Sequence, residues 1–223
     1  MSAPKHLRAA EFQRCDLFLD VRCFSELERR IEALPDEQLR GDAFEVFAEA
    51  YLATQRVEMA KHVWPDKVIP PSLRKRLRLF VRDVGADGVL ETVSGKHRAY
   101  QVKFRSRRAP LTWTETATFF GLTDHCDDRL LFTNSEDVSE VAEQRKGFSS
   151  IRGTDLDAMT VEDFDAIRAW LPSIGSRRFS RFIATWPRRD HSPARGTKGL
   201  TRTFPNSPRC MSTEPCPRRL ATA

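Results

Sequence analysis

Residues 84–104 run Val84-Gly85-Ala86-Asp87-Gly88-Val89-Leu90-Glu91-Thr92-Val93, then Ser94-Gly95-Lys96-His97-Arg98, then Ala99-Tyr100-Gln101-Val102-Lys103-Phe104. Positions 84–93 and 99–104 are rich in β-branched and aromatic residues, and the cluster between them has turn chemistry, so the stretch predicts a β-hairpin. A turn near Gly95 sets Asp87 opposite Lys103. Side chains alternate across a strand, so Gln101 and Lys103 share one face while Tyr100, Val102 and Phe104 fill the other and face the core. A carboxylate, an amide and an ammonium are thereby expected on one open surface, with Asp87 and Gln101 within reach of a shared ion.

Upstream of the hairpin, 24–34 reads as a short amphipathic helix broken by Pro35-Asp36, and 36–55 as a longer one. In the longer helix Phe44, Phe47, Ala48, Tyr51 and Leu52 form one apolar stripe. Glu45 falls about 20° from Leu52, at the edge of that stripe, and Glu49 further round toward solvent. Three prolines between Trp64 and Pro71 exclude a regular helix, and a basic run with Arg74, Lys75, Arg76, Arg78 and Arg82 follows. Downstream, 112–122 is expected as a helix, 129–132 as a short buried strand and 136–146 as a helix. Residues 160–171 complete the folded part as a helix with Thr160 as N-cap and Asp163 three positions on.

The chemistry suggested by the hairpin is phosphodiester hydrolysis. A carboxylate and other oxygen donors hold Mg²⁺ against a phosphate oxygen, and a lysine orients the attacking water or offsets developing charge. Glu45 is the candidate for a second carboxylate. Arg74, Lys75, Arg76, Arg78, Arg105, Arg107 and Arg108 bracket these residues, where phosphate contacts position a duplex.

Asp87, thirteen intervening residues and then Gln101-Val102-Lys103 resemble the D-x(n)-Q-x-K variant of the PD-(D/E)-x-K nuclease motif found in Mrr-like, type IV restriction endonuclease domains. Gly41-Asp42-Ala43-Phe44-Glu45 is similar to that family's G-x-x-F-E first helix, Gly85-Ala86-Asp87-Gly88 to its G-x-D strand, and Leu130-Leu131-Phe132-Thr133 to its later core strand. The resemblance spans about residues 24–171. It implies an α/β restriction-endonuclease-like fold, a mixed central sheet flanked by helices, and Mg²⁺-dependent DNA endonuclease activity with Mn²⁺ as a substitute. Asp87 and Glu45 would bind metal, Gln101 would ligate it or place the water, and Lys103 would stabilise charge. The partners so implied are DNA, a second copy of the chain for double-strand cutting, and a separate helicase or ATPase subunit.

Composition bounds these expectations. Of 223 residues, 40% are hydrophobic and 30% charged, which suits a soluble globular protein. No apolar run is long enough for a membrane helix and no secretory signal is evident, so a cytoplasmic location is expected. The five cysteines lack zinc or disulfide spacing, the histidines are scattered, and no G-x-S-x-G elbow supports serine catalysis. The net charge of +6 is uneven: 174–223 holds 11 of the 37 basic and 2 of the 31 acidic residues, leaving 26 against 29 in 1–173. High overall basicity therefore says little about the body. The expected organisation is an extension over 1–23, a nuclease domain over 24–173, and a disordered, Pro- and Arg-rich tail over 174–223. A phosphate loop, G-x-x-x-x-G-K-S/T, is absent, so the chain reads as a stand-alone nuclease or as a remnant of a larger enzyme. The rival from another class is a catalytically silent DNA-binding or assembly module, distinguished by having no metal-dependent cleavage.

Overall fold

The computed structural model describes residues 4–55, 59–80 and 85–171. Five strands form a mixed sheet: β1 (Ala60–Pro65), β2 (Gly88–Thr92), β3 (His97–Lys103), β4 (Asp128–Thr133) and β5 (Phe148–Ile151), paired in that order. The first three run antiparallel, and β3, β4 and β5 run parallel. Around the sheet lie α1 (Ala9–Arg14), α2 (Phe24–Glu32), α3 (Glu37–Thr54), α4 (Pro71–Arg76), α5 (Trp113–Leu122), α6 (Glu140–Glu143), α7 (Gly153–Asp157) and α8 (Val161–Trp170). This is the α/β class expected from the sequence, a mixed central sheet flanked by helices. The expected tail, 174–223, and Val84 at the start of the expected hairpin lie outside the described residues.

Local chemistry sets the helix starts. The Asp36 carboxylate accepts the Leu39 N–H at 2.7 Å and caps α3. Thr112 with Glu115 and Thr160 with Asp163 close reciprocal capping boxes on α5 and α8. Each satisfies donors that a helix start leaves unpaired.

The alternating side chains of the sheet feed two cores. Leu90, Tyr100, Val102, Leu130 and Phe132 pack on α3, α8 and the 4–23 segment, to which Phe12, Leu17 and Val21 belong. Phe44, Phe47 and Tyr51 place their rings 5.2, 5.8 and 5.3 Å from Phe132. On the other face Val89, Ala99 and Leu131 meet Leu73, Phe119 and Phe120. Both faces are thus covered, as befits a sheet with parallel strands. Gln101 is accordingly 3% exposed and does not sit on an open surface as expected.

The hairpin register also departs from expectation. Gly88 pairs with Tyr100 and Glu91 with His97, so the turn centres on Ser94, one residue earlier than Gly95. Thr92 fixes it by accepting the Lys96 N–H on Oγ1 at 3.1 Å and meeting Ser94 Oγ at 2.9 Å. Asp87 therefore lies beside Tyr100 and Gln101, and Lys103 pairs instead with Thr133 of β4. A two-residue displacement leaves every side chain on its expected face.

Two strands, β1 and β5, were not foreseen, and the helix expected over 136–146 shrinks to α6. Its first residues are used elsewhere: Asp137 O accepts the Leu111 N–H at 2.9 Å, Leu111 O accepts the Ser139 N–H at 3.0 Å, and Leu111 bridges Val138.

Candidate active site

Asp87 sits one residue before β2 and is held from three sides. Its N–H donates to Tyr100 O at 2.9 Å, and its O accepts the Asp66 N–H at 2.8 Å. Its Oδ2 accepts the Val102 N–H at 2.6 Å, just beyond the last β2–β3 pair, Gly88 with Tyr100. Gly88 makes this approach feasible. A Cβ there would stand 2.3 Å from the Tyr100 ring and 2.5 Å from Trp64 O.

Glu45 comes from α3, with its side chain 29% exposed. The segment ahead of α1 crosses this part of the helix. His6 Nε2 lies 3.2 Å from Glu45 Oε2, and Arg8 pairs with Asp42 and Glu11. The Lys5 and His6 N–H groups donate to the two oxygens of Glu49 at 2.8 and 2.9 Å. Glu49 is 1% exposed, not turned to solvent as the helical wheel suggested, because residues 5 and 6 lie over it. Burial pushes its carboxyl above the usual range, and the two backbone donors only partly counter this. The buried Tyr100 phenol is pushed well up, by desolvation first and then by the charges of Glu49, Asp87, Glu45 and Asp66.

Two clefts meet at Glu45 and Asp87. One, of about 450 Å³, is lined by Glu45, Asp87, Lys103, Arg40, Gly41 and Arg105 among others. The other, of about 340 Å³, has His6, Arg8, Asp42 and Asp66 on its walls. The structure thus brings Glu45, Asp87 and Lys103 to one cavity. Gln101 lines neither cleft, and its buried Oε1 has no hydrogen-bond partner among the described residues.

The basic residues divide. Arg108 donates to Glu28, Glu136 and Asp157 and holds two helices and a loop together; the bonds to Asp157 and Glu28 raise its pKa further. Arg74 is spent on Asp66 and on Phe80 O. Arg105 pairs with Glu115 at 2.7 Å on the rim of the larger cleft. Lys75, Arg76, Arg78 and Arg107 are exposed, with Arg76 against His97 and Arg78 near His125.

His6, Asp42 and Glu49 were missed as neighbours of the site. Asp42, Glu45 and Glu49 share one face of α3 by their spacing, which is a legible signal. His6 arrives through tertiary structure and has none.

Fold and cleft together define an α/β domain with Glu37, Glu45, Asp87 and Lys103 on the wall of one cavity. Neither family models nor curated proteins match the chain. Among solved structures it is similar to the "ATP-dependent Type ISP restriction-modification enzyme LlaBIII bound to DNA", with 20% identity and a TM-score of 0.48. That likeness covers 62% of this chain and 8% of the other, so the chain spans a small part of that protein's length.

Proposed function

We propose that this chain is a divalent-metal-dependent DNA endonuclease of the restriction type, with Glu45, Asp87, Gln101 and Lys103 as its working residues. The observation that carries this reading is the single cleft lined by Glu45, Asp87 and Lys103. The donors in the cleft, the Glu45 and Asp87 carboxylates, suit a hard cation such as Mg²⁺ or Mn²⁺; Gln101 is buried outside both clefts, its Oε1 without a partner among the described residues. When bound, the ion supplies Lewis-acid charge at the scissile phosphate and makes water a stronger nucleophile.

The remaining work falls to the chain. Asp87 is fixed by the Val102 N–H, so its carboxylate does not need to be ordered when substrate arrives. Lys103 lines the same cleft, from which its ammonium would offset charge growing on the phosphate. Arg40 and Arg105, which line the cleft, with exposed Lys75 and Arg107, are the candidates for backbone phosphate contacts, whereas Arg76 and Arg78 stand near His97 and His125, at the other end of β3 from Lys103, and do not bracket the cleft as expected.

Plasmid nicking in Mg²⁺ or Mn²⁺ tests this reading. Asp87→Asn keeps an acceptor for the Val102 N–H while removing the charge, and Lys103→Ala removes the ammonium. Each is expected to lower the cleavage rate by about 10²-fold or more. Metal-independent cleavage, or cleavage unchanged in both variants, refutes it.

A further inference from the structure

The segment 5–8 is seated on α3 by contacts of different kinds. Glu49, a carboxylate 1% exposed, takes the backbone N–H groups of Lys5 and His6. Lys5 Nζ donates to Val63 O at 2.7 Å and lies 5.2 Å over the Trp64 ring. Arg8 pairs with Asp42 and Glu11. Between these anchors the His6 ring reaches Glu45, with only 12% of its side chain exposed.

His6, Asp42 and Glu45 have ligand atoms within 4.8 Å of one another, a grouping able to hold a metal. The hydrogen bonds point to a different role for the imidazole. The Arg8 N–H donates to His6 Nδ1 at 3.3 Å, so Nδ1 is the acceptor nitrogen and the proton of the neutral ring sits on Nε2. Nε2 then donates to Glu45 Oε2. With both ring nitrogens committed, His6 offers no lone pair to a cation, and the other oxygen of Glu45 is the one that would be left to hold it.

We infer that His6 is a positioning residue for Glu45: the 5–8 segment, locked by Glu49, aims the Nε2–H at Oε2 and holds the carboxylate in its metal-binding orientation. This rests on the proposed role of Glu45. Partners that orient a ligating carboxylate typically account for about 10- to 100-fold in metal affinity. Backbone attachment makes the device robust, because the Glu49 bonds do not use the His6 ring and survive its removal in His6→Ala or His6→Gln.

Mn²⁺ binding to the full chain, followed by electron paramagnetic resonance, gives a readout independent of cleavage. The set is wild type, Glu45→Gln, His6→Ala and His6→Gln. Glu45→Gln is expected to weaken binding strongly, and His6→Ala to raise the Mn²⁺ Kd by about 10- to 100-fold. His6→Gln, which restores an N–H donor, should recover most of that loss. Equal affinity in wild type and His6→Ala, with Glu45→Gln still weakened, overturns the inference and leaves the metal reading intact. Indifference to Glu45→Gln overturns both. Loss in His6→Ala that His6→Gln does not restore, together with a matching loss of Ni²⁺ binding, also overturns it and makes the imidazole a direct ligand.

Discussion

Arg108 and Glu49 show how ionisable side chains take different work according to what surrounds them. Arg108 meets three carboxylates, and its side chain is 24% exposed. Removing it leaves Glu28, 15% exposed, without its cation. Arg108→Ala is expected to cost about 2 kcal/mol, between an exposed pair and a buried one, read as a lower urea midpoint at unchanged slope. Glu49 gives a pH signature. Its folded pKa is raised by burial, so the folded state holds the proton more tightly than the unfolded chain. The stability it contributes is complete below the ordinary glutamate range and is lost as pH rises through the raised value. Unfolding measured across that window should show this fall in wild type, and Glu49→Gln should flatten it.

At the scale of elements, Gly88 is the tightest constraint in β2. Gly88→Ala would drive a methyl into the Tyr100 ring and Trp64 O, and an expected cost of about 2 kcal/mol or more is checked by chemical denaturation. At the start of α8, Thr160→Ala removes a cap and should cost about 1 kcal/mol. The same local signals explain what the sequence revealed. α3, α5 and α8 were legible because a capping residue stands at the start of each, α2 because of its amphipathic period ahead of Pro35-Asp36, and β3 and β4 because apolar runs are flanked by turn residues. β1 hid because Lys61 and His62 are exposed and Pro65 ends it, as an edge strand permits. β5 has four residues, two of them serine, and no periodicity to read. The burial of Glu49 and the part played by His6 were beyond reach, since both depend on residues forty positions away folding back over α3. Of the cleft, Glu45, Asp87 and Lys103 were nameable from spacing, whereas the pairing of Asp87 turned on a turn one residue off centre.

Across the whole molecule, covering both sheet faces confines open polar chemistry to the ends of the strands. The larger cleft lies at such an end, where β3 finishes at Lys103 and Asp87 precedes β2. Any duplex bound there meets Arg40 and Arg105 on the rim, and its affinity should fall with salt. Arg40→Ala should reduce the slope of log affinity against log salt by about one, as titrations at several ionic strengths would record. Arg108→Ala should leave that slope unchanged, because its guanidinium is held by carboxylates within the fold.

The carboxylate that accepts from β3 has a further consequence. The Val102 amide proton points directly at Asp87 Oδ2, so its magnetic resonance frequency registers the charge density on that oxygen. A cation drawing electrons from Asp87, or a proton arriving there, would move one backbone resonance before any neighbouring strand is disturbed. The protein therefore contains its own spectroscopic probe of the candidate site, one that reads occupancy without substrate, label or turnover.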